Sequence, residues 1–267
     1  MLDPLFVPIR DPGEVYQLLD ELPLSLDREH FARFVLGFPR HYLLKTPRIE
    51  IVKHFLLAEN LGGKNVITSL SKEDDLWKLS VIATDRSRLF SRIAGALSCF
   101  GANIASAEAF ANSSSLVLDT FRFVDQENRF DSDQETDRFQ HFLEDVVEGK
   151  EPLEPHLRKR WPQLRFREAQ PFNVEASNDA HPSATRISLR CGDHFGLLYL
   201  LSDTISSEGY SIEAAFIQTI DQTVRDQFFV TRDGRKLTKD EREGLRTKLA
   251  DLGRRILLEP EEAGRLI

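Results

Sequence analysis

The segment "DRSRLFSRIAGALSCFGANI" at 85–104 returns 108 positions later as "DHFGLLYLLSDTISSEGYSI" at 193–212. At that offset Asp85 falls on Asp193, Leu89 on Leu197, Phe90 on Leu198, Ile93 on Leu201, Leu97 on Ile205, Gly101 on Gly209 and Ile104 on Ile212. The polar residues between them mostly differ. An apolar skeleton kept while its polar filling changes points to a duplicated core. The spacing of three and four predicts a buried helical face, and the closing glycine predicts where each helix stops.

Outward from this helix the period changes. "WKLSVIATD" ahead of the first copy alternates as a strand does, with Leu79, Val81 and Ala83 on one face. "NIASAEAF" and "LVLDTFRFVDQ" follow as two strands around "ANSSS", a hairpin signal. A second helix is predicted over 133–148, with Phe139, Phe142, Leu143 and Val146 facing inward. The second copy repeats the order with "TRISLRC", a helix from Leu197 to Ser207, "YSIEAAFIQTI", "TVRDQFFVTRD" and a helix over about 239–256. Register survives the hairpin with one residue lost, since Asp119 and Phe121 match Asp226 and Phe228.

These patterns predict an α+β chain of two tandem ferredoxin-like βαββαβ domains, each a sheet with two helices on one face, preceded by a helical segment. The expected bounds are 1–70 for the helical segment, 76–178 for the first domain with a linker at 149–171, and 184–267 for the second. "PFNVEAS" is read as the closing strand of the first domain; "LLEPEEAGRLI" makes a poor closing strand for the second. In the helical segment, "DPGE" at 11–14 and Thr46–Pro47 are start signals, and Ile51, Val52, Phe55 and Leu56 form one stripe before "NLGGKN" ends it. Each domain leaves a sheet face and edges uncovered, so the two are expected to pack on each other.

Composition narrows the partners. The chain has 267 residues, long enough for two domains, and its 35 basic against 43 acidic residues give a net charge of −8, which argues against a nucleic-acid or anionic membrane partner. The one basic cluster, "RKRWPQLRFR" at 158–167, reads as a solvated linker rather than a phosphate site. Cys99 and Cys191 stand singly, without metal-ligand or disulfide spacing, and read as small core residues in a reducing, cytoplasmic setting. The amino terminus carries acidic residues and prolines where a signal peptide would be basic and then apolar, and no apolar run is long enough to span a bilayer.

Asp85, "RSRLF", "RIAGAL", Gly101, Asn103 and Ile104, with Asp193, "HFGLLY", Gly209 and Ile212, resemble the ACT domain, a small ligand-sensing module. "LFSRIAGAL", "FPRHYLL" at 38–44, "FNVEAS" at 172–177 and "GLLYLL" are similar to the carboxy-terminal third of the bacterial PII uridylyltransferase/uridylyl-removing enzymes, in which two ACT units sense glutamine. Those enzymes also carry a nucleotidyltransferase domain with a Gly-Ser turn and a phosphohydrolase domain with a His-Asp pair. Neither "GS" nor "HD" occurs here, and His30, His41, His54, His141, His156, His181 and His194 are scattered singly. "GKNVITSL" at 63–70 lacks the glycine spacing of a nucleotide loop. The chain is therefore expected to be no enzyme and to need no cofactor or metal.

The resemblance implies a ligand, often an amino acid, where a strand–helix turn of one unit meets the second strand of its partner. A helix starting there offers unpaired N–H groups and a positive dipole end to a carboxylate, and an aspartate beside them takes an ammonium. The residues implied are Asp193, His194, Gly196 and Leu197 facing Asn103 and Ile104, and in the other turn Asp85, Arg88 and Leu89 with Ser211 and Ile212. Arg88 stands where the family has glycine. It is either a carboxylate clamp or a sign that the first turn serves packing; the aspartates are equally good helix caps. The expected function is regulatory sensing of an amino acid, glutamine first. The alternatives are a ligand-free interaction module, paired with a second copy or a regulatory protein, and a stand-alone partner of a uridylyltransferase-type enzyme.

Overall fold

The structure is a computed structural model that describes residues 8–21, 26–160, 172–194, 196–221 and 223–258. Helices α1 (Gly13–Glu21), α2 (Arg28–Leu36), α3 (Arg40–Lys45) and α4 (Arg48–Glu59) come first. The first repeat follows as β1 (Val66–Glu73), β2 (Leu76–Thr84), α5 (Leu89–Cys99), β3 (Ala102–Ala111), β4 (Leu116–Asp125), α6 (Asp133–Glu148) and α7 (Glu154–Arg160). The second comprises β5 (Asn173–Ser177), β6 (Thr185–Gly192), α8 (Leu197–Ser207), β7 (Ser211–Ile220), β8 (Thr223–Thr231) and α9 (Lys239–Leu258).

The strands form one eight-stranded sheet in the order β1-β2-β4-β3-β7-β8-β6-β5. In each half the crossover through a helix leaves a gap that the hairpin strand fills: β4 lies between β2 and β3, and β8 between β6 and β7. That is the split crossover of a ferredoxin-like sandwich, so the predicted fold class stands. The halves meet at the edges, with β3 and β7 as hydrogen-bonded neighbours. Each edge alone would present a row of unpaired N–H and C=O groups, and pairing them removes that cost.

The outer strands differ from the expected order. "NVEAS" does not close the first repeat; β5 pairs antiparallel with β6, from Asn173 opposite Arg190 to Ser177 opposite Arg186. β1 holds the matching place beside β2, and a two-residue connection at Asp74–Asp75, with Asp74 at φ 51°, turns the hairpin. Val66 of β1 lies 108 positions before Val174 of β5, so the duplicated unit starts at its edge strand. Residues 63–70, read as the end of the helical segment, belong largely to this strand. The expected linker at 149–171 contains α7, and the basic cluster lies largely outside the described residues; its Arg160 pairs with Glu127 at 2.6 Å.

By contacts the chain gathers into two compact units. The first comprises Met1–Ser69, Ser80–Asp85 and Phe110–Asp119. Its core is aromatic: Phe31 and Phe34 meet Phe55 edge-on at 5.1 and 5.5 Å, and Tyr42 lies 5.4 Å from Phe110 of β3. Asn112, in the β3–β4 turn, donates from Nδ2 to Phe34 O, and Ser113 N–H donates to Gly37 O, both at 2.9 Å. Helix α4 starts at Arg48 after Pro47 and buries Ile51, His54 and Phe55, while Leu56 of the expected stripe is exposed.

The second unit comprises Leu70–Leu79, Arg86–Ala109 and Thr120–Ile267. Here α5 lies beside α8, and the approach is close at Gly95, where an added Cβ would fall 2.2 Å from Leu153 Cδ2 and 2.9 Å from Tyr199 Cδ2. Phe90 of α5 stacks at 5.1 Å on Phe121 and reaches Phe228 at 6.3 Å, so the repeated phenylalanines of β4 and β8 share one core. Each such ring is worth about 1.5–3 kcal/mol when fully buried.

Candidate functional site

The two strand–helix turns match at their described residues. Gly196 at φ 69° and Arg88 at φ 66° both cap their helices in the left-handed region. Leu197 N–H donates to His194 O at 3.1 Å and Leu200 N–H to Gly196 O at 3.0 Å; at the same offset, Leu89 N–H donates to Arg86 O at 3.3 Å and Arg92 N–H to Arg88 O at 2.9 Å. Glycine takes that conformation freely; arginine holds it at a cost of about 1–2 kcal/mol. The cap conformation is thus the same although one copy has arginine where the other has glycine.

The side chains around the two turns do different things. Arg88 directs Nε to Asp203 Oδ1 of α8 at 3.4 Å, and Ser91 Oγ contacts the same oxygen at 3.4 Å. Its guanidinium therefore already has a carboxyl group of the protein in front of it. Burial raises the Asp203 pKa and Arg88 draws it back down. The neighbouring Arg86 and Arg92 donate to Val147 O at 3.1 and 3.0 Å, near the carboxyl end of α6, where cations are favoured.

The second turn opens into a cavity. Asp193, His194, Gly196 and Leu197 line it together with Asn103 and Ile104 of β3, the six residues expected to meet there. The cavity measures about 30 Å3, and about 410 Å3 when its open mouth is included. Room of the smaller size admits a group as large as a water or an ammonium. Asp85, Arg88, Leu89, Ser211 and Ile212 do not line this cavity. Asp85 is exposed and donates its N–H to Ser115 O at 2.8 Å, Leu89 is buried, and Ser211 and Ile212 pair with Thr231 and Val230 in the β7–β8 ladder.

Of the lining residues outside the expected set, one is titratable. Asp226 of β8 is 2% exposed, borders the cavity, and accepts from Gln218 N–H at 3.3 Å. Burial, with the charge of Asp193 adding to it, pushes its carboxyl up to about 8 even though the Gln218 N–H pulls the other way. Its counterpart Asp119 is 3% exposed, and burial with the nearby Asp85 again raises it to about 8. The signal was present in the sequence: Asp119 shares parity with Phe121 and Phe123, and Asp226 with Phe228 and Val230. Both acids therefore sit on the inward face of a strand. Burial also lowers the His194 pKa and pushes the thiols of Cys99 and Cys191 up to about 12, so neither cysteine supplies a thiolate near neutrality.

No cluster of three or more His, Cys, Asp or Glu among the described residues is placed to hold a metal ion. Among the same residues no helix is long and apolar enough to cross a membrane. No family model matches the chain. It is similar to the bifunctional uridylyltransferase/uridylyl-removing enzyme of Nitrobacter winogradskyi, 30% identical over 200 residues covering 71% of this chain and 21% of that protein. The same enzyme of Bradyrhizobium diazoefficiens is 28% identical over 204 residues, 72% of this chain and 22% of its own. The resemblance read from the sequence thus holds over most of the chain, which spans about a fifth of the length of these relatives.

Proposed function

We propose that the chain is a regulatory module of tandem ACT type that senses an amino acid, with glutamine the first to test because of the resemblance to uridylyltransferase/uridylyl-removing enzymes. The observation supporting this is the meeting of the Asp193–Leu197 turn and the start of α8 with Asn103 and Ile104 of the other repeat around one cavity. A helix start and an acidic side chain are the two partners that a carboxylate and an ammonium need. The cavity would seat the ammonium and leave the amino-acid side chain in the mouth. Control of a nitrogen-signalling enzyme or of a second copy of the chain would follow from the ligand tightening the β3–β7 seam.

On this reading uridylyl chemistry belongs to domains outside this sequence, and the chain with UTP, magnesium and a PII protein transfers no label; labelled PII would overturn that part. The sensing itself is tested by thermal melting of the whole chain against the twenty amino acids, nucleotides and 2-oxoglutarate. An amino acid at about one hundred times its Kd should stabilise the fold by roughly 2.7 kcal/mol. Unchanged melting across the panel would overturn sensing and leave the interaction module.

A further inference from the structure

We propose that Asp226 is a ligand-binding residue that, with Asp193, makes this cavity a receptor for a primary ammonium group, so that the module reads an amine and rejects its 2-oxo-acid, dicarboxylate and phosphate counterparts. The inference rests on the amino-acid-sensing reading and specifies what that site selects. Three observations support it. The Asp226 carboxyl group is almost wholly buried yet borders the cavity, and its one hydrogen bond, among the described residues, is the Gln218 N–H on Oδ1 at 3.3 Å. A carboxyl group removed from water with so little in return carries a desolvation cost that an ammonium donor on Oδ2 would relieve. Asp193 stands close enough for its charge to act on Asp226, while the described lining contains no lysine or arginine. With no lysine or arginine in the described lining to hold it, an anion entering the cavity would meet two acids, and an ammonium would meet two acceptors.

Binding has a proton consequence. The titratable groups around Asp226 are Asp193 and His194 from the turn and Cys191 of β6; α5, β3 and β7 contribute Ser98, Asn103 and Thr219, which do not titrate. His194 is held neutral by burial and the Cys191 thiol stays protonated, so the exchangeable proton near neutrality is the one on Asp226, whose pKa is about 8. An ammonium beside a carboxyl group lowers its pKa by one to three units. The ligand therefore arrives protonated, Asp226 ionises, and its proton passes to the solvent. Affinity for an amine should rise from pH 6 to pH 8, by up to about tenfold per unit.

The test is calorimetry on the whole chain at pH 7 in phosphate and in MOPS, whose ionisation heats differ and neither of which carries a primary amine. The probes are L-glutamine, 4-aminobutanamide, which keeps the amine without the carboxylate, and 4-carbamoylbutanoate, which keeps the carboxylate without the amine. Release of about half to one proton per L-glutamine, weaker but measurable binding of the amine, and no binding of the acid are expected. Asp226→Asn should weaken L-glutamine at least tenfold and abolish the proton release. If that variant fails to fold, the proton count and the two analogues on the parent decide. Binding of L-glutamine or another amino acid without proton release, or binding of the acid but not the amine, overturns this assignment while sensing stands. A chain that binds neither amino acids nor the amine overturns both.

Discussion

Replacing Asp119 by asparagine should change how stability depends on pH more than it changes stability itself. In the folded chain burial, helped by Asp85, raises the carboxyl from its ordinary 3.8 to about 8. Between those values the folded state holds a proton that the unfolded state has lost, so stability declines as pH rises and the decline is complete above pH 8. The ceiling is about 1.4 kcal/mol per pH unit for one group, or about 2.7 kcal/mol between pH 5.5 and 7.5. The buried amide of the variant adds an offset of roughly 1–3 kcal/mol for lost hydrogen bonding, but that offset does not vary with pH. Urea unfolding of parent and variant at pH 5.5, 6.5 and 7.5 reads the difference, and every titrating group not coupled to Asp119 cancels. The variant should gain on the parent with each step in pH. Parallel curves would show that Asp119 is ionised in the folded chain and that the physical account of both inward aspartates is wrong.

Gly95→Ala should destabilise by about 1–2 kcal/mol despite alanine's helix preference, since its Cβ would fall 2.2 Å from buried Leu153 Cδ2; Leu153→Ala in the same chain should recover part of the loss, and a denaturation midpoint unchanged by Gly95→Ala would refute the close approach. Arg88→Gly should alter stability by less than about 1 kcal/mol, because relief of the left-handed backbone offsets loss of the half-exposed Asp203 pair. A loss above about 2 kcal/mol in a melt would mean that the ion pair carries far more than a surface pair does. Gly196→Leu should fold with a cost of about 1–2 kcal/mol, as Arg88 in the same backbone indicates, and should abolish L-glutamine binding in calorimetry. Retained binding would move the ligand away from this turn.

The sequence carried the interior strands and the paired helices because apolar spacing reports burial directly, whereas the six expected residues that line the cavity came from the family resemblance. It was weakest at the edges. β1, "VITSLSKE", is rich in serine, threonine and lysine, which suits an edge strand and blurs the alternation that marks an inner one. β5 has five residues, too few to say which neighbour it pairs with, and only the ladder to β6 settles that. Within the helical segment, α2 starts at an ordinary cap, where Asp27 accepts from His30 N–H at 2.9 Å in front of "REHFARFVL". The Leu56 misplacement has another cause: the α4 stripe was drawn wider than the packing uses. Asp226 was visible as a repeated letter, but its meaning depends on the depth at which the strand buries it.

The edge strands also bear on how the chain is made. In each repeat the outermost strand is followed immediately by the strand it pairs with, so a growing chain forms that hairpin as soon as it leaves the ribosome. A unit that closed its sheet with a strand made last would hold one edge of its first strand open until about a hundred residues had been made. The inner edge of β2 waits for β4, and that of β3 waits longest: its partner β7 emerges after roughly a further hundred residues, several seconds at ordinary synthesis rates. For that interval the nascent first repeat exposes one open edge beside the residues Asn103 and Ile104, and this is where a chaperone, or a mispaired neighbouring chain, would find it.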